Sequence, residues 1–199
     1  MIKTIVFDLG GVYFTNGLDR AVRLISENYS FDEEMIRETL RGDASRRLRR
    51  GEMTEGEFWG HALRDWGLNE DPVFLSRVWS SGYVPREEIR ALIKKLRKRY
   101  KVMFLSNSFS ERAKHLEAAY GFLQDFDGGV FSNEVGFLKP EKRIYEVLLE
   151  KAKCMPEEIL YIDDKGDYLK PAKDIGIGTM LFKDAKTLAE QLKKEGVRV

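Results

Sequence analysis

The sequence predicts an α/β protein, a Rossmann-like doubly wound parallel sheet interrupted by one all-helical insertion. Three observations lead there. Short β-branched apolar runs recur along the chain, amphipathic helical stripes separate most of them, and residues 15–85 carry helix signals without a convincing strand.

The first run, Ile2 to Phe7, ends at Asp8-Leu9-Gly10-Gly11, as expected of a buried parallel strand followed by a tight turn. Val102 to Leu105, Val130-Phe131, Ile159 to Ile162 and Thr179 to Phe182 repeat the pattern. Ile89, Leu92, Ile93 and Leu96 mark one helical stripe, Ile144, Val147 and Leu148 a second, and Leu188 with Leu192 a third. These elements assign residues 1–14 and 86–199 to the sheet-based core.

Residues 15–85 are expected to form a helical cap of four or five short helices. Leu18, Ala21, Val22 and Ile25 have helical spacing, Thr54 with Glu57 makes a capping box, and Asp71-Pro72 is an N-cap followed by proline at the first helical position. Phe58, Trp59, Trp66, Phe74 and Trp79 are expected to build the insertion's own apolar centre. The run Arg46-Arg47-Leu48-Arg49-Arg50 reads as a solvated helix face in preference to a surface turned towards an anionic substrate.

Composition narrows the function classes. Hydrophobic residues make up 43% and charged residues 34% of the chain, with a formal net charge of +1, so nothing implies a nucleic acid or membrane partner. The apolar start is too short for a signal peptide, and no run is long enough to span a bilayer. The single cysteine, Cys154, forms no internal disulfide and fits a cytoplasmic protein.

The chemistry-bearing residues fall at the C-terminal ends of the predicted strands, where an open α/β sheet presents its ligands. Asp8 ends the first, Ser106-Asn107 the second, Lys139-Pro140 follows the third, and Asp163-Asp164 ends the fourth. Each is ordinary turn or cap chemistry when taken alone. Together they bring three carboxylates to one sheet edge, where they repel one another unless a cation sits among them. Magnesium fits, because it takes hard oxygen ligands and usually pairs with phosphate. Lys139 and the Ser106 hydroxyl would then hold phosphoryl oxygens, and a carboxylate free to attack would be a covalent nucleophile.

Phe7-Asp8-Leu9-Gly10-Gly11-Val12, Leu105-Ser106-Asn107, Gly136-Phe137-Leu138-Lys139-Pro140 and Tyr161-Ile162-Asp163-Asp164 resemble the four ordered motifs of the haloacid dehalogenase superfamily. The likeness is nearest to the branch of soluble epoxide hydrolase N-terminal phosphatase domains and glucose-1-phosphate phosphatases. It implies a magnesium-dependent phosphatase of a small phosphorylated metabolite, with Asp8 as the nucleophile. It further implies that Ser106, the Asn107 backbone N–H and Lys139 bind the phosphoryl group. Asp8, the Gly10 carbonyl and Asp164 would hold the metal. Asp163 would orient Lys139 or a metal-bound water, although the two acids can exchange roles.

Two positions depart from that pattern. The superfamily's phosphatases usually carry a second aspartate two residues after the nucleophile as general acid/base, and here that residue is Gly10. An asparagine is often found where this chain has Tyr168. Three rival readings follow. A 2-haloacid dehalogenase needs no metal for displacement at carbon, and the Asp163-Asp164 pair argues against it. A response-regulator receiver would place its acidic pair and its phospho-acceptor in the opposite order. A weakly active or non-catalytic binding protein is compatible with Gly10.

Overall fold

The computed structural model describes residues 1–199. The strand β1 (Thr4–Phe7) is followed by five helices with no strand between them: α1 (Gly17–Tyr29), α2 (Glu33–Arg41), α3 (Asp43–Arg50), α4 (Glu55–Trp66) and α5 (Pro72–Ser81). Alternation then begins with α6 (Glu87–Leu96), β2 (Lys101–Ser106), α7 (Ser110–Tyr120), β3 (Gly129–Phe131) and the single turn α8 (Ser132–Val135). It continues through α9 (Lys142–Ala152), β4 (Ile159–Asp163), α10 (Gly166–Asp174), β5 (Gly178–Leu181) and α11 (Ala185–Lys194). No helix is long and apolar enough to cross a membrane.

The five strands form one parallel sheet in the order β3-β2-β1-β4-β5. Side chains alternate across it, so β1, β2, β3 and β4 each feed two cores. Ile5 and Phe7 pack with Ile89 and Ile93 of α6 and Leu188 and Leu192 of α11. Val6 points the other way, towards Ile144 and Leu148 of α9 and Leu169 and Ala172 of α10. From β1 the chain moves outward through β2 and β3, then crosses back to β4 on the other side. That reversal opens a crevice beyond the C-terminal ends of β1 and β4.

The insertion has a core of its own. Leu18, Ala21, Val22 and Ile25 of α1 pack with Phe58, Trp59, Trp66 and Trp79. Phe74 does not join them and is 43% exposed. The reason is helical phase, since α5 buries Leu75 and Trp79, four residues apart, and leaves Phe74 outside that stripe. Both expected caps form. The Thr54 hydroxyl accepts from the Glu57 amide (3.2 Å) while the Glu57 carboxylate accepts from the Thr54 amide (2.8 Å), and Asp71 accepts from the Val73 amide (2.9 Å).

The insertion leaves and re-enters the core through neighbouring segments. The Thr15 amide donates to the Val84 carbonyl (2.9 Å) and the Arg86 amide to the Tyr13 carbonyl (2.8 Å), with Phe14 opposite Pro85. A second joint ties α3 to the core. The buried Ser132 hydroxyl lies 2.7 Å from the Arg49 carbonyl and 3.1 Å from the Ser108 carbonyl, and it accepts from the Ser108 amide at 3.0 Å. Beside it, the Arg50 guanidinium makes a forked pair with Glu141 at 2.6 and 3.1 Å.

The Ser132 joint is open to measurement. Ser132→Ala removes the partner of a buried amide and of carbonyls from both units, which costs about 1–3 kcal/mol. For a chain of this size Tm should fall by about 2–4 °C per kcal/mol. Unchanged thermal and urea unfolding of the variant would show that the joint carries no stability.

Candidate active site

Pairing between β1 and β4 runs one residue past β1. The Asp8 amide donates to the Ile162 carbonyl at 2.8 Å, which fixes Asp8 beside Asp163 at the mouth of the crevice. Into this position comes Lys139, whose ammonium is buried. It donates to Asp8 Oδ1 (2.6 Å), Asp163 Oδ2 (2.8 Å), the Leu105 carbonyl (3.1 Å) and the Tyr161 hydroxyl (3.0 Å). The Tyr161 hydroxyl in turn donates to Asp163, whose other oxygen accepts from the Lys165 amide at 2.9 Å. Asp163 is therefore occupied in holding Lys139, Tyr161 and the start of α10.

Lys139 is held from behind as well. The Asn107 side chain accepts from the Lys139 amide (2.9 Å) and donates to its carbonyl (3.1 Å). Glu141, clamped by Arg50, accepts from the Leu138 amide at 3.2 Å. The Tyr168 ring centroid lies 5.0 Å from the Lys139 ammonium, so the residue that replaces the usual asparagine supports the lysine through its π-face.

The three acids converge, with carboxylate oxygens of Asp8, Asp163 and Asp164 all within 4.8 Å of one another. Gly11 makes this approach possible. Its φ is +100°, and a Cβ there would lie 2.3 Å from an Asp164 oxygen. The other Asp164 oxygen, Oδ1, is buried without a hydrogen-bond partner. In the adjoining turn the Leu9 carbonyl accepts from the Phe14 amide (2.7 Å) and the Gly11 amide donates to the Phe14 carbonyl (2.9 Å). The Gly10 carbonyl takes no part in that pattern.

The charges respond accordingly. Burial pushes the Asp8 carboxyl up to about 7, with Asp163 and Asp164 adding to the rise against the pull of Lys139. Burial and Asp163 also raise Asp164. Burial disfavours the Lys139 ammonium, but Asp163 and Asp8 outweigh it and keep the group protonated beyond the usual lysine range. An unpartnered carboxylate oxygen among crowded acids, with hard oxygen donors around it, fits a divalent cation.

Beside the acids lies a cavity of about 330 Å³, lined by Asp8, Ser106, Asn107 and Lys139 from the core. The insertion contributes Arg41, Arg46, Arg49 and Tyr83 to the same wall. The basic run is therefore not simply a solvated face. Arg49 is half-buried and lines the cavity, Arg50 is bound to Glu141, and Arg46 and Arg47 stay exposed as expected, although Arg46, three residues from Arg49 on α3, also lines the cavity. Two contributors escape sequence reasoning, Tyr161 and Arg112. Tyr161 had a signal, because a residue two before Asp163 on a strand shares its face. Arg112, buried on α7 against the insertion, had none.

Residues 2–176 match the haloacid dehalogenase-like hydrolase family. The chain belongs to that family. Its resemblance to the D-ribitol-5-phosphate phosphatase of Bacteroides thetaiotaomicron amounts to 26% identity over 90% of this chain and 91% of that protein. A HAD family enzyme of the same organism, solved in complex with magnesium and inorganic phosphate, superposes with a TM-score of 0.77 at 27% identity, covering 92% of this chain and 95% of that one. Bifunctional epoxide hydrolase 2 of Sus scrofa is 24% identical over 97% of this chain, which spans 38% of that protein.

In this haloacid dehalogenase-like hydrolase the burial of the Asp8 carboxylate, with Asp163 and Asp164 close by, has a measurable cost. The folded-state value for Asp8 lies above the unfolded 3.8, so its contribution to stability is full below about pH 4 and is lost as pH rises through about 7. Asp8→Asn, which keeps the shape and removes the charge, should raise Tm by several degrees at pH 8 in chelator, with the gain vanishing towards pH 4. A lower Tm for the variant at pH 8 would mean that the Lys139 pair outweighs the repulsion.

Proposed function

We propose that this hydrolase is a magnesium-dependent phosphatase of a small phosphorylated metabolite, working through a phosphoryl-enzyme intermediate on Asp8. The observation that carries the reading is the partnerless buried oxygen of Asp164, set within a triad of acids beside a cavity that also holds Ser106, Asn107 and Lys139. Sugar and polyol phosphates are the natural first substrates to assay, given the relative named for D-ribitol 5-phosphate. We assign residues 15–85 the role of a cap that closes over the phosphate and selects the group attached to it.

Asp8, Asp164 and the Gly10 carbonyl would hold the metal. When bound, magnesium supplies positive charge to the acids and to the phosphoryl oxygens. The remaining work falls to the chain. One Asp8 oxygen attacks phosphorus as the bond to the leaving oxygen breaks, and a water later attacks phosphorus to release phosphate and free the carboxylate. Lys139 offsets charge on Asp8 and the transferring group, while the Ser106 hydroxyl and the Asn107 backbone N–H donate to its oxygens. Asp163 keeps the Lys139 ammonium pointed at Asp8. A metal-independent haloacid dehalogenase would leave the acid cluster without a purpose, which favours the phosphatase.

Gly10 leaves the departing oxygen without a carboxylic acid beside the nucleophile. Its backbone is outside the left-handed region, and a Cβ there would lie 3.4 Å from the Tyr83 ring. A longer side chain at position 10 therefore has to compete with Tyr83 for space.

Two outcomes test this subsection. Hydrolysis of p-nitrophenyl phosphate should stop in excess chelator, return with Mg²⁺ and be absent in Asp8→Asn. Full activity in chelator would overturn the metal and the mechanism together. The second concerns proton supply. Turnover should favour aryl over alkyl phosphates, and Gly10→Asp should raise alkyl-phosphate rates more in a Tyr83→Ala background than in the wild type, within the about 10²- to 10⁴-fold range of general acid catalysis. Equal wild-type rates on both substrate types would show that another donor protonates the leaving group.

A further inference from the structure

The lining of the cavity has the reverse imbalance to the acid cluster. Asp8 is its one acidic lining residue, against Arg41, Arg46, Arg49, Arg112, Lys139 and Lys165. Lys139 is committed to Asp8 and Asp163, but none of the four arginines pairs with an acid, and two of them, Arg112 and Arg49, have buried nitrogens with no partner. Arg112 is 4% exposed, and its guanidinium carbon lies 4.2 Å from the Trp79 ring centroid, 4.3 Å from that of Phe109 and 4.7 Å from that of Tyr83. One of its nitrogens donates to the Tyr83 hydroxyl at 3.4 Å, and Nε and Nη2 are buried with no partner.

Arg49 stands over the same indole, 5.9 Å from its centroid. It donates from Nη2 to the Leu40 carbonyl (2.7 Å) and the Ser45 hydroxyl (2.9 Å), and its Nε is likewise buried and unpartnered. Glu55, the acid whose charge acts on Arg112, is taken up by Ser76 (2.6 Å) and Trp59 (3.4 Å). Aromatic faces offset part of the cost of burying a cation. They leave the in-plane N–H donors unsatisfied, and an unpaired buried charge is strongly unfavourable.

We propose that the substrate carries a second anionic group, a carboxylate or a phosphate, on its leaving-group side, and that Arg112 and Arg49 bind it across the cavity from Asp8. The proposal rests on the phosphatase reading above and narrows its substrate class from neutral sugar or polyol phosphates to doubly anionic ones. The planar fork of guanidinium donors matches both oxyanions, and burial against aromatic rings holds it in place before the ligand arrives. A site built around such donors discriminates steeply against an analogue that lacks the anion, because its N–H groups then stay buried and unpaired.

The experiment compares kcat/KM within two pairs in the presence of Mg²⁺: 3-phosphoglycerate against glycerol 3-phosphate, and 1,3-propanediol bisphosphate against 3-hydroxypropyl phosphate. The doubly anionic member of at least one pair should be favoured about tenfold or more, and the favoured pair identifies carboxylate or phosphate. Arg112→Met and Arg49→Met should each bring the ratio towards one, with Arg112→Lys keeping part of it. No preference in either pair, alongside turnover of p-nitrophenyl phosphate, overturns the proposal and leaves the phosphatase standing. A loss in the arginine variants that is equal for both members also overturns it, because Arg112 and Arg49 then only hold the insertion in place. Should no substrate release phosphate, the phosphatase reading fails, and titration calorimetry of the wild type with the same four compounds decides this one by the same ratios.

Discussion

One buried ammonium holds the acid-lined end of the sheet together. Lys139 reaches Asp8 after β1, the Leu105 carbonyl in β2, and Tyr161 and Asp163 in β4, while its own backbone is fixed by Asn107. Three neighbouring strands and the loop after the third are thereby tied at a single nitrogen. The backbone ladder ends within one residue of Asp8 and does not reach the carboxylates. A cation among converging acids supplies the missing constraint, and it survives burial because two carboxylates surround it. Every other element of the site is arranged around that point.

The cleft that results is polarised. Its floor has more negative charge than Lys139 can balance, and its insertion-side wall has guanidinium groups with no carboxylate in contact. Each half is unfavourable in isolation and mutually attractive across the cavity. A ligand that brings a cation to the floor and anions to the wall relieves both. Burial of unsatisfied groups on this scale is the usual signature of a site whose last components are supplied from outside.

The core was legible in the sequence because its strands are short apolar runs with acids or Ser-Asn at their ends, and parallel strands buried on both faces leave little room for other patterns. α6, α9 and α11 carry visible stripes for the same reason. α7 was not legible, because its buried face is carried by Leu116 and Arg112, and a charged residue does not register as core. α10 contains Pro171, which argues locally against a helix that tertiary packing nevertheless maintains. At the site, the four motif positions could be read from order and spacing. The orientation of α3 could not, because periodicity gives the angle between Arg46, Arg49 and Arg50 but not the rotation of the helix against the core. Phe74 failed for a related reason, since hydrophobicity alone does not set phase on a helix that buries Leu75 and Trp79.

The paired entry and exit of the insertion, with Thr15 bonded to Val84 and Tyr13 to Arg86, has an evolutionary consequence. From the side of the sheet, the intervening chain is a detour whose two ends are already closed. Changes at insertion positions away from the α3 joint leave these two closed ends, and with them β1 and α6, in place. Mutations at Arg41, Arg46 or Arg49 can change this part of the cavity wall while Asp8, Lys139, Asp163 and Asp164 keep their positions. The two sides of the cavity are thus exposed to selection largely as separate traits, with Arg112 of α7 the point where the core itself supplies a guanidinium to the wall.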